Sequence, residues 1–406
     1  MKSKKKKALF VATIYDFLDG FESNNMRILK EMGYEVHCIA NPYVDQIPGN
    51  EKVKTPNIDT IGGIKKHSWR CARSPYDRNN IIALRQLQTL LKKENFNLVH
   101  CHTPMGGVLA RIACEPYRKK GMRVIYTAHG FHFYKGAPKK NWLIYYPIEK
   151  ELSRFTDLLI TINKEDYQRA KNHFYAKQTV YIPGVGVDTN KFGFKGQTEE
   201  EIKRFRQEIG VQDNQIWFLS VGELNENKNH ETAIRAIANL DDTSRKRVFY
   251  TIAGEGEKRN FLEKLIANLG LQEQVKLLGI RNDIPILCDS ADVFVHPSYR
   301  EGLSVALMEA MASGLPVLAS RIRGNIDLID EDKGGGLFDP KSIEQCTQAL
   351  SKMISTGIEE RMSAGLYNRN KIKHFDSKTV ENAIKEEYLT ETNSCMRGGH
   401  YCNTSS

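Results

Sequence analysis

The segment Ala291–Ser320, ADVFVHPSYREGLSVALMEAMASGLPVLAS, contains the pattern that indicates the fold. A short apolar run is followed by a polar turn, a helical pattern over Leu303–Ala312 and a second apolar run. Strand, helix and strand in this order are the repeating unit of a parallel sheet that helices cover on both faces. The helix carries Glu309 among Val, Ala, Leu and Met, and a carboxylate in such surroundings is costly unless a partner holds it.

The same alternation extends over most of the 406 residues. Strand-like runs in the first half are KALFVATIY, YEVHCIAN, FNLVHCHT, RVIYTAHG, DLLITIN and TVYIPG. A glycine-rich linker follows at Pro183–Thr198, and the pattern then restarts with IWFLSVGEL. We therefore predict an α/β protein of two doubly wound Rossmann-like domains, residues 1–190 and 191–376, that face each other across a cleft. Residues 377–406 are predicted to form a last helix and a frayed tail.

Composition restricts the class of protein further. No apolar run approaches the ~18 residues that a membrane span needs, and we read Ala8–Tyr15 as a first buried strand rather than an export signal. The eight cysteines include no CxxC pair, which favours reduced thiols in a cytoplasm. Residues 1–190 hold 31 Lys and Arg against 17 Asp and Glu, whereas residues 191–406 hold 28 against 32. A basic first half favours an anionic partner, and without nucleic-acid motifs we expect a membrane surface or a phosphorylated substrate.

The turn before the Leu303 helix has the features of a phosphate site. The free N–H groups of Leu303 and Ser304, together with the helix dipole, suit an anion, and Gly302 leaves room for close approach. Glu301 stands beside this seat and Glu309 follows eight residues later, at most ~12 Å along a helix. Two carboxylates at this separation can each accept hydroxyl hydrogen bonds from one end of a nucleotide diphosphate sugar.

These residues resemble a known family. The pattern E-x7-E (Glu301, Glu309), between VHPSYREGLS and EAMASGLPVLAS, is similar to that of the family 4 retaining glycosyltransferases of the GT-B fold. The segments YTAHGFHFYKGAPKKNWLIYYPIEK, DLLITINKEDYQRAK and YIPGVGVDTNKF resemble the EpsD/CapM-like subgroup, which builds bacterial exopolysaccharide and capsule repeat units. The resemblance covers nearly the whole chain.

The resemblance implies roles for individual residues. Glu301 would bind donor-sugar hydroxyls, Glu309 the ribose hydroxyls, and the amides of Leu303 and Ser304 the distal phosphate. Lys228, in VGELNENKNHETAI after the strand that ends at Gly222, matches the lysine that neutralises the leaving diphosphate. The alternative for Lys228 is a surface lysine.

At two further positions the sequence leaves alternatives open. Arg281, in LLGIRND, lies where the family contacts the base through its main chain, or is a solvated loop arginine. The family usually has an arginine five residues before the lysine, where this chain has Glu223. The sequence leaves open whether Arg300, Arg321 or Arg323 supplies a second positive charge.

The first half contributes a histidine and a glycine to the expected site. The resemblance places His129, which ends RVIYTAHG, against the donor sugar, with His100, His102 and His132 as nearby rivals. HCH at 100–102 could be taken for a metal pair, but a strand alone supplies no further ligands, and we expect no metal and no other cofactor. The family's loop after the first strand approaches the donor phosphates, and Gly20 in YDFLDGFES is the candidate, although two acidic neighbours oppose a phosphate there.

The segment FHFYKGAPKKNWLIYYP interleaves aromatic residues with Lys135, Lys139 and Lys140. Such a mixture suits a membrane interface, and its alternative is an aromatic core with exposed lysines. We expect docking on the anionic inner face of the plasma membrane and a lipid-diphosphate-linked sugar as acceptor.

The resulting expectation is a hexosyl- or N-acetylhexosaminyltransferase that uses a UDP-sugar, in exopolysaccharide or capsule synthesis, with retention of configuration. The alternatives are a GT-B epimerase or phosphorylase, or a non-catalytic two-domain sugar-binding protein. A nicotinamide-dependent oxidoreductase is disfavoured because AGEGEKRN (Ala253–Asn260) lacks the third glycine and no ribose-binding acid follows.

Overall fold

The computed structural model describes residues 5–42, 57–193 and 197–397, with the backbone alone for residue 57 and residues 391–397. The chain divides into two compact units. The first contains Met1–Val185 and Val380–Ser406, and the second contains Gly186–Thr379.

The first unit is built on a parallel sheet of seven strands in the order β3-β2-β1-β4-β5-β6-β7. Its strands are β1 (Lys7–Ile14), β2 (Glu35–Asn41), β3 (Lys65–Ser68), β4 (Leu98–Cys101), β5 (Arg123–Ala128), β6 (Leu158–Thr161) and β7 (Gln178–Tyr181). Its helices are α1 (Tyr15–Phe17), α2 (Ser23–Glu31), α3 (Asn57–Ile61), α4 (Asn79–Glu94), α5 (Pro104–Arg118), α6 (Lys139–Leu152) and α7 (Lys164–His173). A π-helical turn, Leu18–Glu22, joins α1 to α2, and a 3₁₀ turn, Ser153–Phe155, follows α6.

The second unit holds a parallel sheet of six strands in the order β10-β9-β8-β11-β12-β13. Its strands are β8 (Ile216–Val221), β9 (Val248–Ala253), β10 (Val275–Gly279), β11 (Val293–His296), β12 (Val317–Ser320) and β13 (Gly335–Phe338). The helices are α8 (Glu199–Ile209), α9 (His230–Ala238), α10 (Asp242–Lys246), α11 (Arg259–Asn268), α12 (Ile284–Ser290), α13 (Val305–Ala312), α14 (Asn325–Leu328), α15 (Ile343–Ser355) and α16 (Ile358–Ile372), with a 3₁₀ turn at Lys373–Phe375. The last helix of the chain, α17 (Ser377–Arg397), begins at the end of this unit.

Apolar side chains cover both faces of the first sheet. β1 is buried along almost its whole length, with Leu9 and Val11 in one cluster and Ala8 and Phe10 in another. Alternate residues of a strand point to opposite faces, so two clusters on one strand require cover on both sides. The two doubly wound, Rossmann-like sheets predicted from the sequence are confirmed.

The last helix belongs by its contacts to the first unit. Val380, Ile384 and Tyr388, spaced four residues apart on α17, are buried in a cluster with β1 and β2. The sequence predicted a separate element after residue 376, but this apolar face joins it to the first core. Residues 398–406, most of the predicted frayed tail, lie outside the described part of the chain.

In both sheets the strand order reverses beside one strand. β1 lies between β2 and β4, and β8 lies between β9 and β11. Loops that leave the carboxyl ends of such neighbouring strands diverge and leave room for a ligand. Within the described ranges no helix is both long and apolar enough to span a lipid bilayer.

Candidate active site

Two loops in the second unit are joined where its strand order reverses. The first follows β8 and the second follows β11. The Asn227 carbonyl accepts from the Tyr299 amide (2.8 Å), and its side chain donates to the Arg300 carbonyl (2.9 Å). The buried side chain of Asn229 donates to the Pro297 carbonyl at 3.0 Å. These hydrogen bonds hold both loops in a fixed relation.

An ion pair links the two loops at their centre. Lys228 Nζ lies 2.9 Å from Glu301 Oε1, and Nε2 of buried His296 lies 3.4 Å from the same oxygen. Burial acts to raise the pKa of Glu301, but the hydrogen bond from His296 and the charge of Lys228 outweigh it and hold that pKa below its usual range. Glu301 is therefore an ionised acceptor fixed beside a cation.

Two glycines let the backbone and side chains approach closely here. A Cβ on Gly222 would meet Cε of Lys228 at 3.3 Å, so the glycine lets the lysine stem cross the end of β8. A Cβ on Gly324 would lie 2.4 Å from the Gly302 carbonyl oxygen, and Gly324 has a φ of +80°. Gly324 therefore lets the backbone pass close to the turn at Gly302, in a conformation that favours glycine.

The helix after this turn begins later than the sequence predicted. α13 starts at Val305, and Ser304 is its N-cap, with a side-chain oxygen that accepts from the Leu307 amide at 3.3 Å. The predicted start at Leu303 is therefore wrong by two residues, because Ser304 caps more favourably than it extends the helix. Within the described ranges, no acceptor takes the amide hydrogens of Leu303 and Ser304.

Glu309 has the environment that its sequence neighbours predicted. It is half-buried on α13. Burial raises its pKa to about 7, against an opposing effect from the charge of Lys191. In the described part of the chain its carboxylate receives no hydrogen bond. A half-buried carboxylate that receives no hydrogen bond in the free protein favours a ligand that donates hydrogen bonds to it.

The three arginines left open by the sequence differ in their surroundings. Arg300 is exposed, and the guanidinium of Arg321 is paired with Glu331. Arg323 is buried, and its Nε donates to the Glu301 carbonyl at 3.3 Å. Of the three, Arg323 is thus bonded directly to the backbone of the Glu301 turn.

Arg281 lies after β10, and its guanidinium is paired with Asp283 through two hydrogen bonds. The side chain is therefore committed within its own loop. A contact of this residue with a base through its main chain remains a prediction.

In the first unit, His129 belongs to a compact cluster with Glu22 and His102. His102 Nδ1 lies 3.2 Å and His129 Nε2 3.4 Å from Glu22 Oε1, and the two nitrogens are 3.3 Å apart. Glu22 and His102 are buried, whereas the His129 side chain is 21% exposed. Burial, reinforced by His100 and His129, holds the pKa of His102 well below its usual range.

His100 is occupied by other contacts. Its Nδ1 lies 2.8 Å from the Tyr388 hydroxyl and its Nε2 2.7 Å from Oγ1 of Thr127. Burial, and then the charge of His129, lower its pKa to about 3. Although Glu22, His100 and His102 lie close enough together for metal ligation, both nitrogens of His100 are engaged. The ring of His132 packs on Tyr145.

Gly20 lies within the π-helical turn Leu18–Glu22, not in the open loop that the sequence predicted. It is exposed, and a Cβ there would meet no atom within 4 Å. Packing does not require a glycine at this position. Its contact with donor phosphates remains a prediction.

The aromatic and lysine segment divides between core and surface. Phe131 and Phe133 are buried, so for them the aromatic-core alternative is correct. α6 exposes aliphatic side chains instead, with Leu143 77% exposed. The exposed lysine and aliphatic side chains of this segment and of the adjoining turn of α6 are Lys135, Lys139, Lys140, Leu143, Ile144 and Ile148.

Sequence reasoning missed several residues that shape both clusters. Asn229 and His296 flank the predicted Lys228 and Glu301, and adjacency to those positions was the available signal. His102 was named only as a rival of His129, and Glu22 was not named, although it lies in the segment YDFLDGFES that supplied Gly20. Their convergence depends on the order of β1, β4 and β5, which no local pattern contains.

Comparisons with known proteins support a single family. Residues 9–163 match the family described as "Glycosyl transferase 4-like", and residues 201–371 match "Glycosyl transferases group 1". The chain is 40% identical to "Putative glycosyltransferase EpsD" of Bacillus subtilis over 82% of this chain and 83% of that protein. It is 33% identical to "UDP-Gal:alpha-D-GlcNAc-diphosphoundecaprenol alpha-1,3-galactosyltransferase" of Escherichia coli over 76% and 79%.

Solved structures share the fold over nearly the full length. The Anabaena protein HepE, crystallised with UDP and glucose, superposes with a TM-score of 0.72 at 20% identity over 95% of this chain and all of that one. WaaG, "a glycosyltransferase involved in lipopolysaccharide biosynthesis", gives 0.68 at 20% identity over 93% and 98%. With its two Rossmann-like sheets and these relatives, the chain belongs to the glycosyltransferases of the GT-B fold, in the family of glycosyl transferases group 1.

Proposed function

We propose that this glycosyltransferase moves a hexose or N-acetylhexosamine from a UDP-sugar to a lipid-diphosphate-linked saccharide, with retention, in exopolysaccharide or capsule synthesis. The observation that carries the proposal is the Lys228–Glu301 ion pair beside the unengaged amides of Leu303 and Ser304. Fixed positive charge and free N–H groups can stabilise a departing diphosphate without the help of a metal ion.

The relatives support the choice of donor and acceptor. The Escherichia coli relative is named for UDP-galactose and a diphosphoundecaprenol-linked sugar, and HepE was crystallised with UDP. The similarity to EpsD supports a place in exopolysaccharide assembly. On this basis the donor is a UDP-sugar and the acceptor a saccharide on a lipid diphosphate.

The second unit is proposed to bind the donor nucleotide. The amides of Leu303 and Ser304 would donate to the distal phosphate, and Gly302 would let it approach. Glu309 would accept hydrogen bonds from the two ribose hydroxyls, which supply the donors that its half-buried carboxylate lacks. Arg281 would contact the base through its main chain.

The proposed chemistry takes place on one face of the sugar. The bond between the anomeric carbon and the diphosphate oxygen breaks, and the acceptor hydroxyl oxygen bonds to the same face. The hydroxyl proton passes to the departing phosphate, which makes a separate protein nucleophile unnecessary. Lys228 neutralises the charge that develops on the diphosphate, Glu301 binds sugar hydroxyls, and we propose no metal and no other cofactor.

The family usually has an arginine where this chain has Glu223. We propose that Arg323 supplies the positive charge of that missing arginine. Its Nε already bonds the Glu301 carbonyl, so its positive charge lies against the turn that would hold the phosphate. Arg321 is a weaker candidate because its guanidinium is bonded to Glu331 and to the Leu337 carbonyl and not to that turn. We expect Arg323→Gln to lower turnover more than Arg321→Gln.

The first unit is proposed to contact the sugar through His129, with Gly20 near the phosphates, and to dock on the cytoplasmic face of the plasma membrane. The exposed lysines and aliphatic residues of α6 suit an anionic interface, where apolar side chains enter and lysine tips meet headgroups. Docking there would place the enzyme beside a lipid-linked acceptor.

Thermal unfolding with UDP, GDP, ADP or NAD in separate samples tests the donor assignment, because a ligand bound only by the folded protein raises its unfolding temperature. We expect a rise with UDP that Glu309→Gln reduces. A rise with GDP or ADP alone would change the donor, and a rise with NAD alone would contradict the assignment.

Single-turnover kinetics with Lys228→Ala test the mechanism, with Lys228→Arg as the control that keeps the charge. We expect the alanine variant to lose roughly 10²-fold or more in turnover, the scale seen when one preorganised charge-stabilising group is removed. Wild-type turnover in Lys228→Ala would exclude this lysine from the mechanism.

A further inference from the structure

We infer that Asn229 is a positioning residue that holds Lys228 in place for the departing diphosphate. The inference rests on the proposed transferase function and deepens it, because it concerns how the protein fixes the cation of that site. Lys228 lies in the turn between β8 and α9, outside the hydrogen-bond ladders of strand and helix. Its place therefore depends on the contacts that its neighbours make.

The side chain of Asn229 joins loops that follow three different strands. Its Nδ2 donates to the carbonyls of Pro297 and Pro340, each at 3.0 Å. Pro297 follows β11 and Pro340 follows β13, whereas Asn229 itself follows β8. All three residues are buried, so the two carbonyls need donors from within the protein. One amide group thus ties the Lys228 turn to two other loops of the second unit.

The amide of Asn229 has one orientation that satisfies its surroundings. Carbonyl oxygens only accept hydrogen bonds, so the atom that faces both prolines must be the amide nitrogen. The amide oxygen then faces the hydroxyl of Thr232, with Oδ1 and Oγ1 2.9 Å apart. That hydroxyl lies farther from the Pro340 carbonyl, at 3.4 Å. Acceptors on one side and a donor on the other therefore fix both ends of the amide.

Asn229 occupies a position where asparagine usually has another task. It is the N-cap of α9, but its side chain accepts no hydrogen bond from a backbone amide of that helix. Cap asparagines commonly accept from the amide of the second or third helical residue. Asn229 also adopts a left-handed conformation, with a φ of +53°, which asparagine tolerates better than most other residues. The side chain is committed to the loops and not to the helix.

Neighbouring asparagines support the same turn. The Lys228 amide donates to Asn225 Oδ1 at 3.0 Å. Asn227, which precedes Lys228, bonds the backbone of the loop after β11, as Asn229 does from the other side. Lys228 is thus held on both sides against the loop that carries Glu301, with its ammonium group 2.9 Å from that carboxylate. A cation fixed in this way needs no reorganisation when negative charge develops beside it.

A double-mutant cycle with Lys228→Ala tests whether Asn229 acts through this lysine. Asn229→Gly keeps the left-handed backbone accessible and removes the amide. We expect it to lower kcat roughly 10- to 100-fold, because a misplacement of about 1 Å can cost about 10²-fold, and to lower UDP affinity by less than about threefold. In Lys228→Ala the same change should alter kcat by less than about twofold, because the lysine that it positions is gone.

Asn95→Gly is the matched control, because Asn95 also has a positive φ, +50°, at the end of α4 in the first unit. Its kcat should stay at the wild-type level. Thr232→Val is the milder change if Asn229→Gly does not fold, because it removes only the hydroxyl that faces Asn229 Oδ1. It should lower kcat severalfold when Lys228 is present and not in Lys228→Ala. Unfolding temperatures of all variants report on folding separately.

Release of UDP reports turnover, with UDP-glucose, UDP-galactose and UDP-N-acetylglucosamine as donors and diphosphoundecaprenol-linked N-acetylglucosamine as acceptor. Equal losses of kcat from Asn229→Gly with and without Lys228 would overturn the inference. A wild-type kcat in Asn229→Gly would do the same, as would a loss of UDP affinity as large as the loss of kcat. A wild-type protein that releases UDP from none of these donors would contradict the proposed function and, with it, the role given to Asn229.

Discussion

Glu309 is a carboxyl group that the free protein stabilises poorly. Its pKa of about 7 reflects half-burial without a hydrogen-bond donor among the described residues. Because the folded protein holds this proton more tightly than the unfolded chain, stability falls as the pH rises from about 4.5 to 7. Above that range the ionised, half-buried carboxylate lowers the stability of the free protein, and hydrogen bonds from a ligand would offset this loss.

Replacement of Glu309 by Gln should therefore act in opposite directions on stability and on binding. At pH 8 we expect the free variant to unfold at a higher temperature than the wild type, and UDP to stabilise it less. Differential scanning fluorimetry with and without UDP measures both. Glu200→Gln, on the exposed start of α8, is the control, and an equal UDP response in both variants would remove Glu309 from the nucleotide site.

The pH dependence of UDP affinity is a second prediction at this residue. Ribose hydroxyls donate to the ionised form, so affinity should rise about tenfold between pH 6 and pH 8, as a group with a pKa near 7 loses its proton. Isothermal titration calorimetry measures it. UDP itself also titrates, so the decisive quantity is the part of the rise that disappears in Glu309→Gln.

At the scale of elements, the strands were easier to predict than the helices. Near-continuous apolar runs such as KALFVATIY and RVIYTAHG match β1 and β5 within a residue or two. The start of α13 was misplaced because Ser304 fits a cap as well as a first turn. α8, which opens with a capping box at Thr198 and Glu201, was missed within the polar stretch after the linker.

The site was predictable to the extent that its residues lie close together in sequence. Glu301, Gly302 and Glu309 belong to one strand–turn–helix unit, so spacing alone was informative. The Glu22–His102–His129 cluster comes from elements that follow three different strands, and only the sheet order brings them together. A pattern within one segment cannot report such a contact.

The exposed face of α6 is expected to bind anionic membranes. Leu143, Ile144 and Ile148 are 77%, 41% and 42% exposed, and their insertion would contribute about 1 kcal/mol each. The triple change to Ser should weaken binding to anionic vesicles about a hundredfold in a flotation assay. Ile81→Ser with Ile82→Ser on α4, also exposed, is the matched control.

If the α6 variant and the α4 control float equally well, another surface must carry the membrane contact. If neither the variant nor the wild type prefers anionic over neutral vesicles, the proposed peripheral location is wrong.

At the scale of the whole molecule, Tyr388 shows how α17 stabilises the first unit. Its hydroxyl, fully buried, lies 2.8 Å from Nδ1 of His100. Tyr388→Phe would leave that nitrogen buried without a partner, which costs about 1–3 kcal/mol. We expect a lower unfolding temperature, with Tyr76→Phe, at an 83% exposed site, as a neutral control. An unchanged unfolding temperature would show that this hydrogen bond contributes nothing to the fold.

The return of α17 to the first unit also affects how the protein is made. A ribosome completes β1 to β7 early, yet Val380, Ile384 and Tyr388 emerge only after the whole second unit has been synthesised. Until then the nascent first unit carries an uncovered apolar surface, which is a hazard for aggregation and a binding site for chaperones. The second unit, by contrast, is continuous in sequence, so its core does not depend on a segment that is synthesised after it.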